Sequence, residues 1–133
     1  MTITSSFSKA DLQQFTGDDL RYRTLNRSVI YTPGIKYLAE NAQAYWLIDA
    51  IASYFVGPEM RNAMKRDDRL QSLQFWRLEV TDEQTASLYA VADKGLKPFI
   101  AQAIDFTDFP FDCIDVWAGF DGTYWTLYLP SEH

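Results

Sequence analysis

The chain has 133 residues, 47% of them hydrophobic and 16% aromatic, with 18 acidic against 12 basic side chains and a net charge of −6. That length suits one domain over residues 1–133 with a core of its own, and the apolar content excludes a disordered chain. The negative field disfavours nucleic acid as a general partner, and the single cysteine excludes an intrachain disulfide or a multi-thiolate zinc site.

The only histidine is His133, which leaves Ser–His–Asp and Cys–His catalysis without a base unless the terminus folds into a site. The start, MTITSSFSK, lacks the apolar segment of a signal peptide, so a reducing cytoplasm is the expected compartment.

Ser8–Phe15 reads as a short helix, with Ser8 as N-cap and Asp11 as a shorter relative of the capping-box acid. Thr16-Gly17-Asp18-Asp19 ends it. LRYRTLNRSVIY follows, carrying Arg21, Arg23 and Arg27, and its last residues, Val29, Ile30 and Tyr31, are strand formers.

Thr32–Gly57 reads as one long central helix. Thr32 is a capping residue, Pro33 suits the first helical position, and Gly57-Pro58 is a stop. At 100° per residue Ile35, Leu38, Ala39, Ala42, Tyr45 and Trp46 share a face, and Leu47, Ile48, Ile51, Tyr54 and Phe55 fill the opposite side. The apolar run is too short for the ~20 residues that span a bilayer, so no membrane partner is expected.

Asp49 falls on the apolar face, with Ser53 one turn beyond. A buried carboxylate needs a partner, because its desolvation costs several kcal/mol. The expectation is a core carboxylate that fixes how the helix docks, with Arg27 or a neighbouring arginine as its mate. The alternative is a candidate pocket of Asp49, Tyr45, Trp46, Ser53 and Arg27.

After Gly57, PEMRNAMKRDDRLQ reads as a short, mostly solvated helix and loop. The period then changes to two. LQFWRLEV sets Trp76, Leu78 and Val80 against Phe75, Arg77 and Glu79, and TASLYAVA alternates again. LKPFIAQAIDF is a third strand, with Pro98 marking an edge or a late start. CIDVWA and TYWTLYL form a hairpin around the Asp121-Gly122 step. The expected fold is α+β, a long central helix on an antiparallel sheet of roughly four to five strands. The N-terminal segment is expected to cover the second half of that helix.

DFTDFPFDCIDVW interleaves Asp105, Asp108, Asp112 and Asp115 with Phe106, Phe109 and Phe111. Its acids lack the spacing and glycine pivot of a calcium loop, so no metal is expected. Phe109 and Phe111 either fold back onto the core or, with Asp108 and Asp112, form a candidate interaction surface. Cys113 reads as a small buried strand residue. No phosphate loop, dinucleotide fingerprint or zinc motif is present, and no cofactor is expected.

Tyr31-Thr32-Pro33-Gly34-Ile35-Lys36-Tyr37-Leu38-Ala39-Glu40, then Ala44-Tyr45-Trp46-Leu47-Ile48-Asp49, Phe106-Thr107-Asp108-Phe109-Pro110 and Leu129-Pro130-Ser131-Glu132 carry a resemblance. Together with Leu25-Asn26-Arg27, the pattern resembles a bacterial family of small single-domain proteins of unknown function, found in cyanobacterial and plasmid-rich genomes. The resemblance implies relatives without implying an activity, substrate or cofactor.

These readings lead to a non-enzymatic binding or interaction module, possible as an accessory of a mobile element, whose partner is an unknown protein or a second copy. The alternatives are a small ligand-binding domain or enzyme with a cleft at Asp49, and an acidic mimic of DNA.

Overall fold

The computed structural model describes residues 7–16, 20–25 and 28–133. Gly17, Asp18 and Asp19 and the motif residues Asn26 and Arg27 lie outside the described residues, so the Asp49–Arg27 pairing does too. Among the described residues the fold is α+β, with helices on one face of a mostly antiparallel seven-stranded sheet.

The strands are β1 (Tyr22–Arg23), β2 (Val29–Tyr31), β3 (Leu73–Val80), β4 (Ala86–Val91), β5 (Ile100–Ile104), β6 (Cys113–Phe120) and β7 (Trp125–Tyr128), in the spatial order β1-β2-β7-β6-β3-β4-β5. The five strands expected from the second half of the chain are all present. The two additional ones are β1 and β2, so the expected count of four to five is too low. Val29–Tyr31 gains its status from β7, which it pairs in parallel, Val29 against Trp125 and Tyr31 against Leu127. That pairing joins residues almost a hundred positions apart, which no local pattern reports.

The long central helix is also corrected. It is two helices, α1 (Pro33–Ala42) and α2 (Tyr45–Tyr54), broken at Gln43, whose backbone is left-handed with φ 53° and ψ 48°. The Ala44 N–H bonds the Ala39 carbonyl across the break. Thr32 caps α1 as expected, its Oγ1 accepting from Ile35 N–H at 3.3 Å. Gly57 is not a left-handed stop: at φ −96° it is the extended N-cap of α3 (Pro58–Arg66), and α2 ends at Phe55.

The break resets the helical phase. In α2 the buried residues are Leu47, Ile48, Ile51 and Ala52, while Tyr45, Asp49 and Ser53 form the solvent stripe. Asp49 is therefore exposed, and the expectation of a core carboxylate fails. With no desolvation to offset, it needs no buried arginine.

The core lies between these helices and the inward face of the sheet. Ile35, Leu38, Leu47 and Ile51 meet Trp76, Leu78, Leu88, Ala90, Val116, Ala118 and Leu127, all nearly or wholly buried. Each such side chain contributes about 1.5–3 kcal/mol through burial. Trp76 carries its polar edge into this core and satisfies it: Nε1 donates to Gln74 Oε1 at 3.1 Å, while Gln74 Nε2 donates to the Leu70 carbonyl at 3.0 Å.

The N-terminal turn (Lys9–Gln14) is 3₁₀ rather than α, and the Ser8 N–H donates to Asp11 Oδ2 at 2.8 Å. It covers the first helix, not the second: Phe7 and Phe15 pack on Tyr37 at centroid distances of 5.8 and 5.1 Å.

Candidate functional site

Strand alternation presents one side-chain set to the helices and the other outward. The outward set is not covered by any described helix. Two transverse rows cross it. In the polar row Tyr89 (β4), Arg77 (β3) and Asp115 (β6) stand directly opposite one another. In the apolar row Val91, Phe75, Trp117 and Tyr128 do the same across β4, β3, β6 and β7. The loop Asp93–Pro98 forms a wall, and the whole is a groove of about 870 Å³.

Arg77 is the hub of the polar row. Its Nη1 bonds both oxygens of Asp115, at 2.9 and 3.1 Å, and its Nε bonds Glu79 Oε2 at 3.0 Å. The Tyr89 hydroxyl donates to the same Glu79 oxygen at 2.9 Å. Burial acts to lower the Arg77 pKa, but Asp115, Cys113 and Glu79 together outweigh it and the net shift is upward. Burial, then the bond to Glu79, raises the Tyr89 pKa, so its proton stays in place at neutral pH. Nη2 of Arg77 and Oε1 of Glu79 make no hydrogen bond within the described residues.

The apolar row is an aromatic ladder. Phe75 meets Trp117 edge-on at 5.1 Å, Trp117 meets the His133 ring at 5.1 Å, and His133 stacks on Tyr128 with its Nδ1 2.9 Å from the hydroxyl. A second groove of about 380 Å³ continues along this face past Thr126, Tyr128, His133 and Glu132.

The residues singled out in the sequence fall elsewhere. Tyr45 and Ser53 share the exposed stripe with Asp49, Trp46 is half-buried, and Arg27 lies outside the described residues. Asp49 lines neither groove of the open face. Phe109 is 6% exposed and packs in the core, with Phe111 edge-on to it at 5.7 Å. The aromatic loop therefore folds back, leaving Asp108 and Asp112 exposed without an apolar patch between them. Phe106, at 66% exposure, is the ring that stays in solvent. Cys113 is half-buried rather than buried, and Lys9 Nζ lies 3.5 Å from its sulfur. Among the described residues no three His, Cys, Asp or Glu side chains converge as metal ligands, and no helix is long and apolar enough to cross a membrane.

The groove residues were visible as the polar phase of LQFWRLEV. Nothing local distinguished that phase from a solvated face, because the signal is the pairing of β3 with β4 and β6.

Fold and site together define a small α+β protein with helices on one sheet face and an aromatic, charged groove on the other. The chain belongs to the family of unknown function DUF6876, whose model matches residues 6–133. Comparison with curated proteins and with solved structures returns no match.

Proposed function

We propose that this chain is a binding module and that the open sheet face is where it takes a protein partner, through a segment bearing a cationic side chain. The single observation behind this reading is the side-by-side placement of the two rows. Trp117 and Phe75 line the groove beside the carboxylates of Glu79, Asp115 and Asp93, with only Arg77 and Lys94 as opposing charges. Cations are attracted to aromatic faces by about 0.5–2 kcal/mol, more so where carboxylates stand nearby. The net charge of −6 steers the same class of partner. The interaction surface thus moves from the Phe109–Phe111 loop, whose rings are largely enclosed, to this groove.

The test is a peptide array read with the labelled chain, followed by titration of the strongest Lys- or Arg-containing hits. Trp117→Ala and Glu79→Gln should each weaken binding by roughly tenfold or more, as central interface residues do. The affinity should fall with added salt. Hits that bind Trp117→Ala as tightly as the wild type, or an array without cationic hits, would overturn the reading.

A further inference from the structure

The two sheet edges differ. At one end stands β1, two residues long and carrying Arg23, a short charged edge of the kind that discourages pairing. At the other stands β5, Ile100-Ala101-Gln102-Ala103-Ile104, with no charge and no proline within it. Its sequence reads the same in both directions about Gln102.

The direction of its free backbone groups follows from the ladders. Thr81 N–H donates to the Thr85 carbonyl at 2.9 Å, which makes this a hydrogen-bonded pair continuing the β3–β4 register. Alternation then turns Ser87, Tyr89 and Val91 toward β3, and Ala86, Leu88 and Ala90 toward β5. Their partners Ile104, Gln102 and Ile100 face β4. The N–H and C=O groups of Ala101 and Ala103 therefore point away from the sheet, and the two alanine side chains are exposed.

We propose that β5 pairs with β5 of a second copy, antiparallel and two-fold symmetric about Gln102, joining two sheets into one. In this register Ala101 of each chain forms a hydrogen-bonded pair with Ala103 of the other, giving four ladder bonds. Ile100 meets Ile104 of the second copy, and the two Gln102 residues face each other at the axis. Gln102 Oε1 already accepts from the Tyr54 hydroxyl at 2.9 Å, which leaves its amide N–H groups for the other copy.

The flanks fit the antiparallel sense. Lys94 and Lys97 precede the strand, Asp105 and Asp108 follow it, and Lys97, Asp105 and Asp108 have no ion pair within the described residues. The two-fold sets the basic flank of one chain beside the acidic flank of the other. It also brings Phe106, 66% exposed, toward Pro98 and Leu96 of the second copy, the latter 42% exposed. A parallel pairing would set like charges together. The paired residues Ile100–Ile104 do not line the groove on the sheet face, and the contact meets that groove through the wall residues Lys94, Leu96 and Pro98 alone.

Light scattering on the eluting full chain should give twice the 15.4 kDa of one copy, with added salt shifting the balance toward monomer. Ala101→Pro removes an outward N–H while sparing the β4 ladder, and Ala103→Lys places a charge at the contact. Each should raise the dimer dissociation constant by roughly tenfold or more, with circular dichroism unchanged. Should the proline variant unfold, the lysine variant and cross-linking decide. Gln102→Cys, made with Cys113→Ser, should form an intermolecular disulfide, because facing residues of a non-hydrogen-bonded pair lie within disulfide reach. A wild type monomeric at its highest soluble concentration overturns the proposal, as does a dimer that survives both edge variants. Dimers lost in those variants yet refusing the Gln102→Cys cross-link overturn the two-fold at Gln102.

Discussion

The carboxylate of Glu132 occupies the space that a side chain on Gly34 would fill. A Cβ built on Gly34 meets the Glu132 carboxylate atoms at 2.6–2.9 Å. The carboxylate sits there because it accepts from Thr32 Oγ1 at 2.7 Å, from Leu129 N–H at 2.9 Å and from Gly34 N–H at 3.3 Å. An acid thus caps the positive end of α1 from the far end of the chain. Two stretches that carry the family resemblance, Thr32-Pro33-Gly34 and Leu129-Pro130-Ser131-Glu132, are halves of one contact.

The contact predicts a change of sign between backgrounds. Glu132→Ala should lower stability by about 1–2 kcal/mol, the size of a lost helix cap. Gly34→Ala should also destabilise the wild type, by displacing the carboxylate. In the Glu132→Ala background the same change should stabilise by up to about 1 kcal/mol, because alanine is the better helix former. A double-mutant cycle by urea denaturation measures this; additive effects would refute it.

The helix break at Gln43 predicts a second pair of outcomes. Gln43 adopts φ 53°, where a side chain costs about 1–2 kcal/mol. Gln43→Gly should raise the melting temperature or leave it unchanged, whereas Gln43→Val should lower stability by about 1–2 kcal/mol. A valine variant as stable as the wild type would mean that the two helices run on as one.

The aromatic loop separates two phenylalanines that look alike in sequence. Phe109 is 6% exposed and Phe106 66%. Phe109→Ala should cost about 3–5 kcal/mol, the usual loss for truncating a core ring. Phe106→Ala should change the stability of the monomer by less than about 0.5 kcal/mol. Thermal melts at low protein concentration test both.

Alkaline pH should destabilise the fold. Burial raises the pKa of Tyr31, Tyr54, Tyr89 and Tyr128 above the ordinary 10.0, with neighbouring acids and tyrosines adding to it at Tyr31, Tyr54 and Tyr89. In each, the folded state holds the phenolic proton more tightly than the unfolded chain. Their contribution is fully present below the unfolded value and is lost as pH rises through the folded one. Urea midpoints recorded alongside tyrosinate absorbance should fall over that window. Midpoints that rise above pH 10 would reverse the sign.

Much of this protein was legible in the residues alone. The period-two runs of 73–80, 86–91 and 113–128 located four strands, Thr32-Pro33 located a helix start, and Pro98 marked the late start of the fifth, β5. These signals are local, set by alternation, capping and missing donors. The tertiary structure decided the rest. Gln43 carries no glycine to announce a left-handed turn, yet packing two helix faces onto one sheet placed the break there. That break moved Asp49 from the apolar face to solvent. Pairing β2 with β7, and β3 with β4 and β6, joined the strands into one seven-stranded sheet and set Arg77 between Tyr89 and Asp115. Such neighbours lie dozens of residues apart in the chain, so their meeting depends on which surfaces bury best together rather than on any single stretch.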